Sequence, residues 1–237
     1  MESRMESHVQ KAIEELRKGN IVLIYDADGR EEETDLVVAS QFVTPDKVRT
    51  LRKDGGGLIF MMVHSDVWKQ FKLPYLTDVY TDNWEKYPVF KALVPNDIPY
   101  DTKSSFSLTI NHRKTFTGIT DVDRAMTMKE FARVSAEAFE LHDGHALDMF
   151  GQEFRSPGHV PICSASTDIL ENRFGHTELS VALMTMADLI PVATGCEMMA
   201  DGGYALSKEE AMAYAGEHGC VYLEGREIVE AWRKWSQ

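Results

Sequence analysis

The chain has 237 residues, of which 43% are hydrophobic and 27% charged. That apolar share can close a core in one large domain or two small ones, and it excludes an intrinsically disordered chain. The formal net charge of −13 disfavours nucleic acid and an anionic membrane as partners, so an anionic substrate needs a local basic pocket.

The three cysteines, Cys163, Cys196 and Cys220, are odd in number and far apart, with no C-x-x-C. A disulfide framework and a zinc ribbon are thereby excluded, and reduced thiols in a cytoplasmic chain are expected. The opening stretch MESRMESHVQ has no apolar run of the signal-peptide kind. No apolar run approaches the length that spans a bilayer.

In chain order, Val9, Ala12, Ile13 and Leu16 repeat at helical spacing, with Gly19 as the stop. Ile21 to Tyr25 reads as a buried strand and Leu36 to Ala39 as a second. Thr44-Pro45-Asp46 opens a helix, with proline in its first turn. Gly55-Gly56-Gly57 precedes a strand-like run from Leu58 to Val63. Between Tyr80 and Ser105 the pattern dissolves, as Pro88, Pro95 and Pro99 interrupt it; a loop of that length is a lid, a binding loop or a partner arm. Phe106 to Asn111 alternates like a strand, and Met128 to Phe139 and Glu178 to Leu189 read as helices. Ser207 to Gly219 carries a capping box with Glu210, Val221 to Leu223 is a short strand, and Glu227 to Trp235 a last helix. Strands and helices interleave without regular βα spacing. With no repeat and no linker, the reading is one α+β domain over residues 1–237. Met61, Met62, Met184, Met186, Met198 and Met199 fall in apolar segments and read as core.

The chemistry-bearing residues fall in a few segments. Asp26 to Asp35 is acidic; if the chain is extended from Arg30, then Glu31, Glu33 and Asp35 share one face. Three carboxylates on one face need either a cation, for which Mg²⁺ is suited, or open water, as in a solvated hairpin turn. Arg173-Phe174-Gly175-His176-Thr177-Glu178 runs into an amphipathic helix, with Thr177 as its expected N-cap. That segment reads as a phosphate cradle with a metal-ligating histidine, or as ordinary capping. Ser156-Pro157-Gly158-His159 is a tight turn that presents a histidine for acid–base work, or a plain turn before a strand. Glu197 stands alone in an apolar strand-like run, either as a proton-transfer group with a raised pKa or as an edge-strand residue. Asn111 to Thr120 is a substrate-binding segment or a polar hairpin. No Walker loop, G-x-G-x-x-G or H-E-x-x-H occurs, so nothing points to NAD, ATP or structural zinc.

Taken together in their order, these segments resemble the 3,4-dihydroxy-2-butanone 4-phosphate synthase family from about Ile13 to Leu223. Gly56-Gly57-Leu58-Ile59, Asp123-Arg124-Ala125 and Cys196-Glu197-Met198 are further markers. The resemblance implies a three-layer α/β/α sandwich with a mixed sheet and a homodimer. It implies D-ribulose 5-phosphate as substrate, with formate and the four-carbon precursor of riboflavin as products. It makes Glu31 and His176 the metal ligands for Mg²⁺, two ions per site, with Mn²⁺ as a substitute. Arg30, Glu31, Asp35, Thr117, Arg173, Gly175, His176, Thr177 and Glu197 become substrate positions, and His159 and Glu197 the catalytic ones. Glu33 lines the same acidic face. The chain departs from the family at Glu32, where a small or neutral residue is usual, and at Phe60, where cysteine is frequent. No cysteine-zinc cyclohydrolase half is present in the sequence, so a monofunctional enzyme is expected. A different metal-dependent sugar-phosphate enzyme and a non-catalytic binding homologue are the competing readings.

Overall fold

A computed structural model describes residues 2–140 and 145–237. The first helix, α1 (Glu2–Arg17), is followed by β1 (Val22–Tyr25), β2 (Thr34–Ala39), α2 (Pro45–Thr50) and β3 (Phe60–Val63). Three short helices follow, α3 (Ser65–Gln70), α4 (Leu76–Asn83) and α5 (Val89–Ala92), and then β4 (Phe106–His112). The chain continues through α6 (Asp121–Glu140), α7 (His145–Glu153), β5 (Phe154–Ser164) and α8 (His176–Met186). It ends with β6 (Val192–Glu197), α9 (Lys208–His218), β7 (Val221–Glu224) and α10 (Gly225–Trp235).

The strands form one sheet in the order β4-β5-β3-β6-β2-β1-β7. It is mixed: β1 pairs parallel with β7 and β3 with β5, while the other neighbours are antiparallel. Both faces are covered. That is why β1, β3 and the Leu36 to Ala39 part of β2 read as unbroken apolar runs rather than alternating ones. Successive side chains still go to opposite faces. Leu23, Leu36, Val38, Met61 and Val63 join one core with Val48, Val67, Met128, Phe131, Ala211 and Ala215 from the helices. Val22, Ile24, Val37, Ala39 and Met62 join the other with Ile13, Leu16, Leu179, Leu183 and Ile228. The layers are therefore helix, sheet, helix, and the fold class expected from the resemblance is the one observed.

Local signals account for the element ends. Gly19 takes φ +81° after α1, a conformation open to glycine at little cost. Thr44 caps α2 through a bond from the Lys47 N–H. Ser207 and Glu210 form the reciprocal cap of α9, and Gly219 ends it in the left-handed region. Phe71 stacks on Phe150 at 4.9 Å and meets Phe131 edge-on at 5.7 Å, locking α3, α6 and α7 together.

Several expectations need correction. The stretch from Tyr80 to Ser105 is not all loop, because α4 and α5 fall in and beside it; both are short, so no long period marks them. The helices α3 and α7, of six and nine residues, are too short for a helical period to stand out in the sequence. Met199 is not core: it lies past the end of β6 and is 36% exposed, whereas Met61, Met62, Met184 and Met198 are fully buried.

Candidate active site

The acidic segment reaches its site by a turn, not by a pleat. Residues 28–31 form a turn, and β2 begins only at Thr34. The organiser is Asp26, buried at the end of β1. Its carboxylate accepts bonds from the Glu31 N–H at 3.0 Å, the Glu33 N–H at 3.2 Å and Arg30 Nη1 at 3.0 Å. Glu32 takes φ +58° at the exposed apex, where its carboxylate accepts from the Gly29 N–H. The fold-back turns Glu31 and Glu33 toward the same chamber as Asp35.

That chamber has a volume of about 260 Å³. Its acidic wall is Glu31, Glu33, Asp35 and Glu197; its basic wall is Arg30, Arg173 and His176, with Thr177 beside them. Strand pairing sets Asp35 opposite Glu197 across β2 and β6. The turn at Gly55 to Gly57 packs directly on Glu197. A Cβ on Gly57 would fall 2.4 Å from Glu197 Oε2, and that same oxygen accepts the Leu58 N–H at 2.7 Å. The Gly56-Gly57-Leu58 segment therefore serves as a mould for one carboxylate.

The other wall is built at the start of α8. Gly175, not Thr177, is the N-cap, and it makes no side-chain cap bond; His176 and Thr177 occupy the first turn. A Cβ on Gly175 would lie 2.6 Å from Arg30 Nη2 and 3.1 Å from Arg173 Nη1. Glycine is what allows both guanidinium groups to close on the helix end, where free N–H groups favour an anion. Arg173 is anchored by Glu178, which is itself fully buried.

His176 joins the two walls. Its Nδ1 is 3.1 Å from Glu31 Oε2, and its Nε2 is 3.2 Å from the carbonyls of Ile24 and Glu33. Those carbonyls only accept, so Nε2 carries a proton and Nδ1 is the atom turned to the chamber. Burial pushes the imidazole pKa down, but Asp35, the bond to Glu31 and the charge of Asp26 outweigh it and raise the value to about 10. Burial likewise pushes Glu31 up, and the bond and charge of His176, with Arg30, hold it down at about 2. Asp35 is fully buried, and neither of its carboxylate oxygens has a hydrogen-bond partner. Burial drives its pKa up, His176 at 3.7 Å opposes this, and Glu197, Glu31 and Glu33 add to the rise, to about 8. Burial is also the main cause that raises Glu197, against the Leu58 N–H bond.

These features fit a divalent cation. Ligand atoms of Asp26, Glu31 and His176 lie within 4.8 Å of one another, and Asp35 brings unpaired oxygens close by. A histidine that donates one ring N–H to a backbone carbonyl and offers the other nitrogen is oriented as metal-binding histidines are. A cation that replaced the Nδ1 proton would face the Glu31 carboxylate, which is already ionised.

Two of the sequence-derived positions lie elsewhere. His159 sits on β5 rather than in a free turn, and it is exposed, as is Thr117. Asn111 ties them together. Its Oδ1 accepts the His159 N–H at 2.8 Å, and its Nδ2 donates to His159 Nδ1 at 3.1 Å and to the Thr117 carbonyl at 3.3 Å. Since Nδ1 accepts, Nε2 is the proton-bearing atom of this exposed ring. His159 does not line the chamber, whereas Cys163 on the same strand does. Four residues of strand separate them by roughly 13 Å. Sequence reasoning gave no role to Asp26, Tyr100 or Asp101. Asp26 is marked only by being an acid at a strand end, and the other two lie where periodicity is lost.

Comparison with known proteins agrees with this geometry. The family model described as 3,4-dihydroxy-2-butanone 4-phosphate synthase matches residues 10–231. A protein of that name from Methanothermobacter thermautotrophicus is 47% identical over 228 residues, which is 96% of this chain and 96% of that protein. One from Archaeoglobus fulgidus is 46% identical over 96% of this chain and 95% of its own length. A solved 3,4-dihydroxy-2-butanone 4-phosphate synthase in complex with two magnesium ions superposes with a TM-score of 0.73 at 22% identity, over 95% of this chain and 96% of that one.

Proposed function

This chain belongs to the 3,4-dihydroxy-2-butanone 4-phosphate synthase family, and we propose that it converts D-ribulose 5-phosphate to L-3,4-dihydroxy-2-butanone 4-phosphate and formate, as a magnesium-dependent lyase supplying riboflavin biosynthesis. One observation carries the reading. Glu31 and His176, distant in sequence, stand 3.1 Å apart on a chamber that also holds two guanidinium groups and a carboxyl of raised pKa.

The residues divide the work. Arg30, Arg173 and the first turn of α8 at Thr177 hold the phosphate, a dianion well matched to paired guanidinium forks. Gly175 keeps those forks close. Glu31 and His176, with Asp26 within reach, hold Mg²⁺, two ions per site, with Mn²⁺ able to replace it. A divalent ion held there would supply Lewis-acid stabilisation of negative charge developing on the substrate oxygens. Asp35 and Glu33 turn the acidic wall toward the sugar hydroxyls. Glu197 moves protons at Oε2, where burial raises its pKa toward the working range. The Leu58 N–H fixes that atom in place.

His159 and Thr117 serve this chemistry from a second copy. Leu58, whose N–H holds Glu197, is exposed, and so is Tyr204, to 81%; next to Thr117, Phe116 is exposed to 93%, and Ile119 and Val122 are exposed too. In a two-fold dimer one patch can cover the other, twice. His159 of each copy then reaches the neighbour's chamber. The chain works as one domain, as a homodimer, in the cytoplasm; its three free cysteines suit a reducing compartment. Among the described residues no helix is long and apolar enough to cross a membrane.

Purified protein with ribulose 5-phosphate and Mg²⁺ is expected to release formate, to stop with EDTA, and to recover with added Mg²⁺. No formate with any divalent ion would overturn the assignment.

A further inference from the structure

The two guanidinium groups of the chamber are already occupied, by an anion of the chain itself. Asp101 Oδ2 accepts from Arg173 Nε at 2.6 Å and lies 3.4 Å from Arg30 Nη2. Its other oxygen accepts the Thr102 N–H at 2.8 Å. The ring of the preceding Tyr100 lies 5.6 Å from the Arg30 guanidinium. Asp101 is only 11% exposed at its side chain.

The segment that carries Asp101 is also tied down at points that do not involve the two arginines. Lys103 Nζ pairs with Asp78 of α4 at 2.8 Å and lies 4.2 Å from the Tyr75 ring centre. The Ser105 carbonyl accepts the Ser164 N–H at 2.8 Å. Upstream, Tyr80 stacks on Phe90 at 4.5 Å between α4 and α5. Asp101 is thus presented to the arginines by a strap whose anchors hold without it.

From this geometry we propose that Asp101 is a specificity-determining residue: its carboxylate fills the anion position between Arg30 and Arg173, and only a phosphate dianion displaces it. The inference rests on the reading that these arginines hold the substrate phosphate. Arg30 and Arg173 each have a carboxylate partner of their own, Asp26 and Glu178, and among the described residues Asp101 is the one anion that bridges the two. A carboxylate supplies one charge and one oxygen to both forks. A phosphate ester supplies up to two charges and three oxygens, and so can engage both forks more fully. The two anions repel and cannot share the position. A neutral sugar or a monocarboxylate therefore gains nothing by competing, and the bridging position stays filled until a phosphate arrives. When a competing state occupies about nine molecules in ten, the apparent affinity of the ligand falls about tenfold.

The test is calorimetric titration of inorganic phosphate, in EDTA, into the full chain and into Asp101→Asn, Asp101→Ala and Arg173→Gln. Both Asp101 variants are expected to bind phosphate about tenfold more tightly, a difference of about 1.4 kcal/mol. They are expected to bind the neutral sugar ribulose as the unaltered chain does. The KM for ribulose 5-phosphate falls with them while kcat does not rise, and Arg173→Gln weakens phosphate at least tenfold. If Arg173→Gln weakens phosphate but neither Asp101 variant tightens it, Asp101 merely orients the arginines; the inference falls and the phosphate reading stands. If the Asp101 variants tighten ribulose as much as phosphate, the strap acts by bulk and not by charge, and the inference falls. If no variant changes phosphate binding, the phosphate lies elsewhere and both readings fall together.

Discussion

The chamber between β2, β6 and α8 and the ribbon of β4 and β5 both carry residues fit for proton transfer, yet they are built in opposite ways. In the chamber the charged groups are buried or half-buried, and several are held by backbone: Asp26 gathers two N–H groups, Leu58 fixes Glu197, and two carbonyls fix His176. On the ribbon, His159 is held just as firmly through Asn111, but it faces outward among exposed apolar side chains. Firm positioning costs conformational entropy, and an exposed histidine with no ligand in reach gives no return on its own. The difference teaches that the chain carries two half-sites, one concave and charged, one protruding and apolar-rimmed.

The largest expected effects test that division directly. Glu197→Gln and His159→Ala should each lower kcat by about 10²- to 10⁴-fold, the usual share of an acid–base group, with thermal unfolding near that of the unaltered chain. Mixing the two inactive variants after reversible dissociation should then restore activity. In a dimer with crossed sites, the mixed species has one site carrying both lesions and one carrying none. Half of the dimers are mixed, so about a quarter of full activity is expected. No recovery in a mixture shown to contain mixed dimers would place His159 and Glu197 in service of the same chain, and the comparison would break.

The two half-sites were not equally legible in the sequence. The chamber announced itself because its chemistry is local: a run of acids after a buried strand, and an arginine, a glycine and a histidine at a helix start. How the acids converge is not legible locally, because alternation along a strand is the simplest way to align them, and the turn depends on Asp26 accepting N–H groups five and seven residues on. The N-cap lies two residues before the position the sequence suggests, since Thr177 has the better capping side chain and Gly175 is there to make space. That His159 stands apart from Glu197 is a fact of tertiary structure, fixed by the pairing of β4 with β5, and no local pattern encodes it. Tyr100 and Asp101 stayed hidden because their role lies in what they touch across 71 residues of chain.

An intermediate effect sharpens the account of the concave half. Gly175→Ala adds one methyl group where Arg30 and Arg173 converge, at a contact distance that real side chains do not tolerate. The φ at Gly175 is −80°, so the backbone accepts alanine without strain. The arginines must give way instead. The KM for ribulose 5-phosphate is expected to rise about tenfold, about 1.4 kcal/mol of lost binding, with kcat reduced far less. A fall in kcat at constant KM would mean that Gly175 shapes the reacting end of the substrate rather than its phosphate.

The smallest effect belongs outside both half-sites. Ser207 caps α9 by accepting the Glu210 N–H, while Glu210 accepts in return from the Ser207 N–H and hydroxyl. Ala211 and Ala215 of that helix are buried in the core that also holds Phe131, so the cap is coupled to packing. Ser207→Ala removes the acceptor and should lower stability by about 1 kcal/mol. For a domain of this size that is a fall in Tm of about 2–4 °C. KM and kcat at a temperature well below the transition should not change, because neither half-site receives a ligand from α9. If turnover fell with stability, the chamber would depend on the order of the sheet edge at β7. The charged groups would then be held by the whole fold, rather than by the short backbone contacts around them.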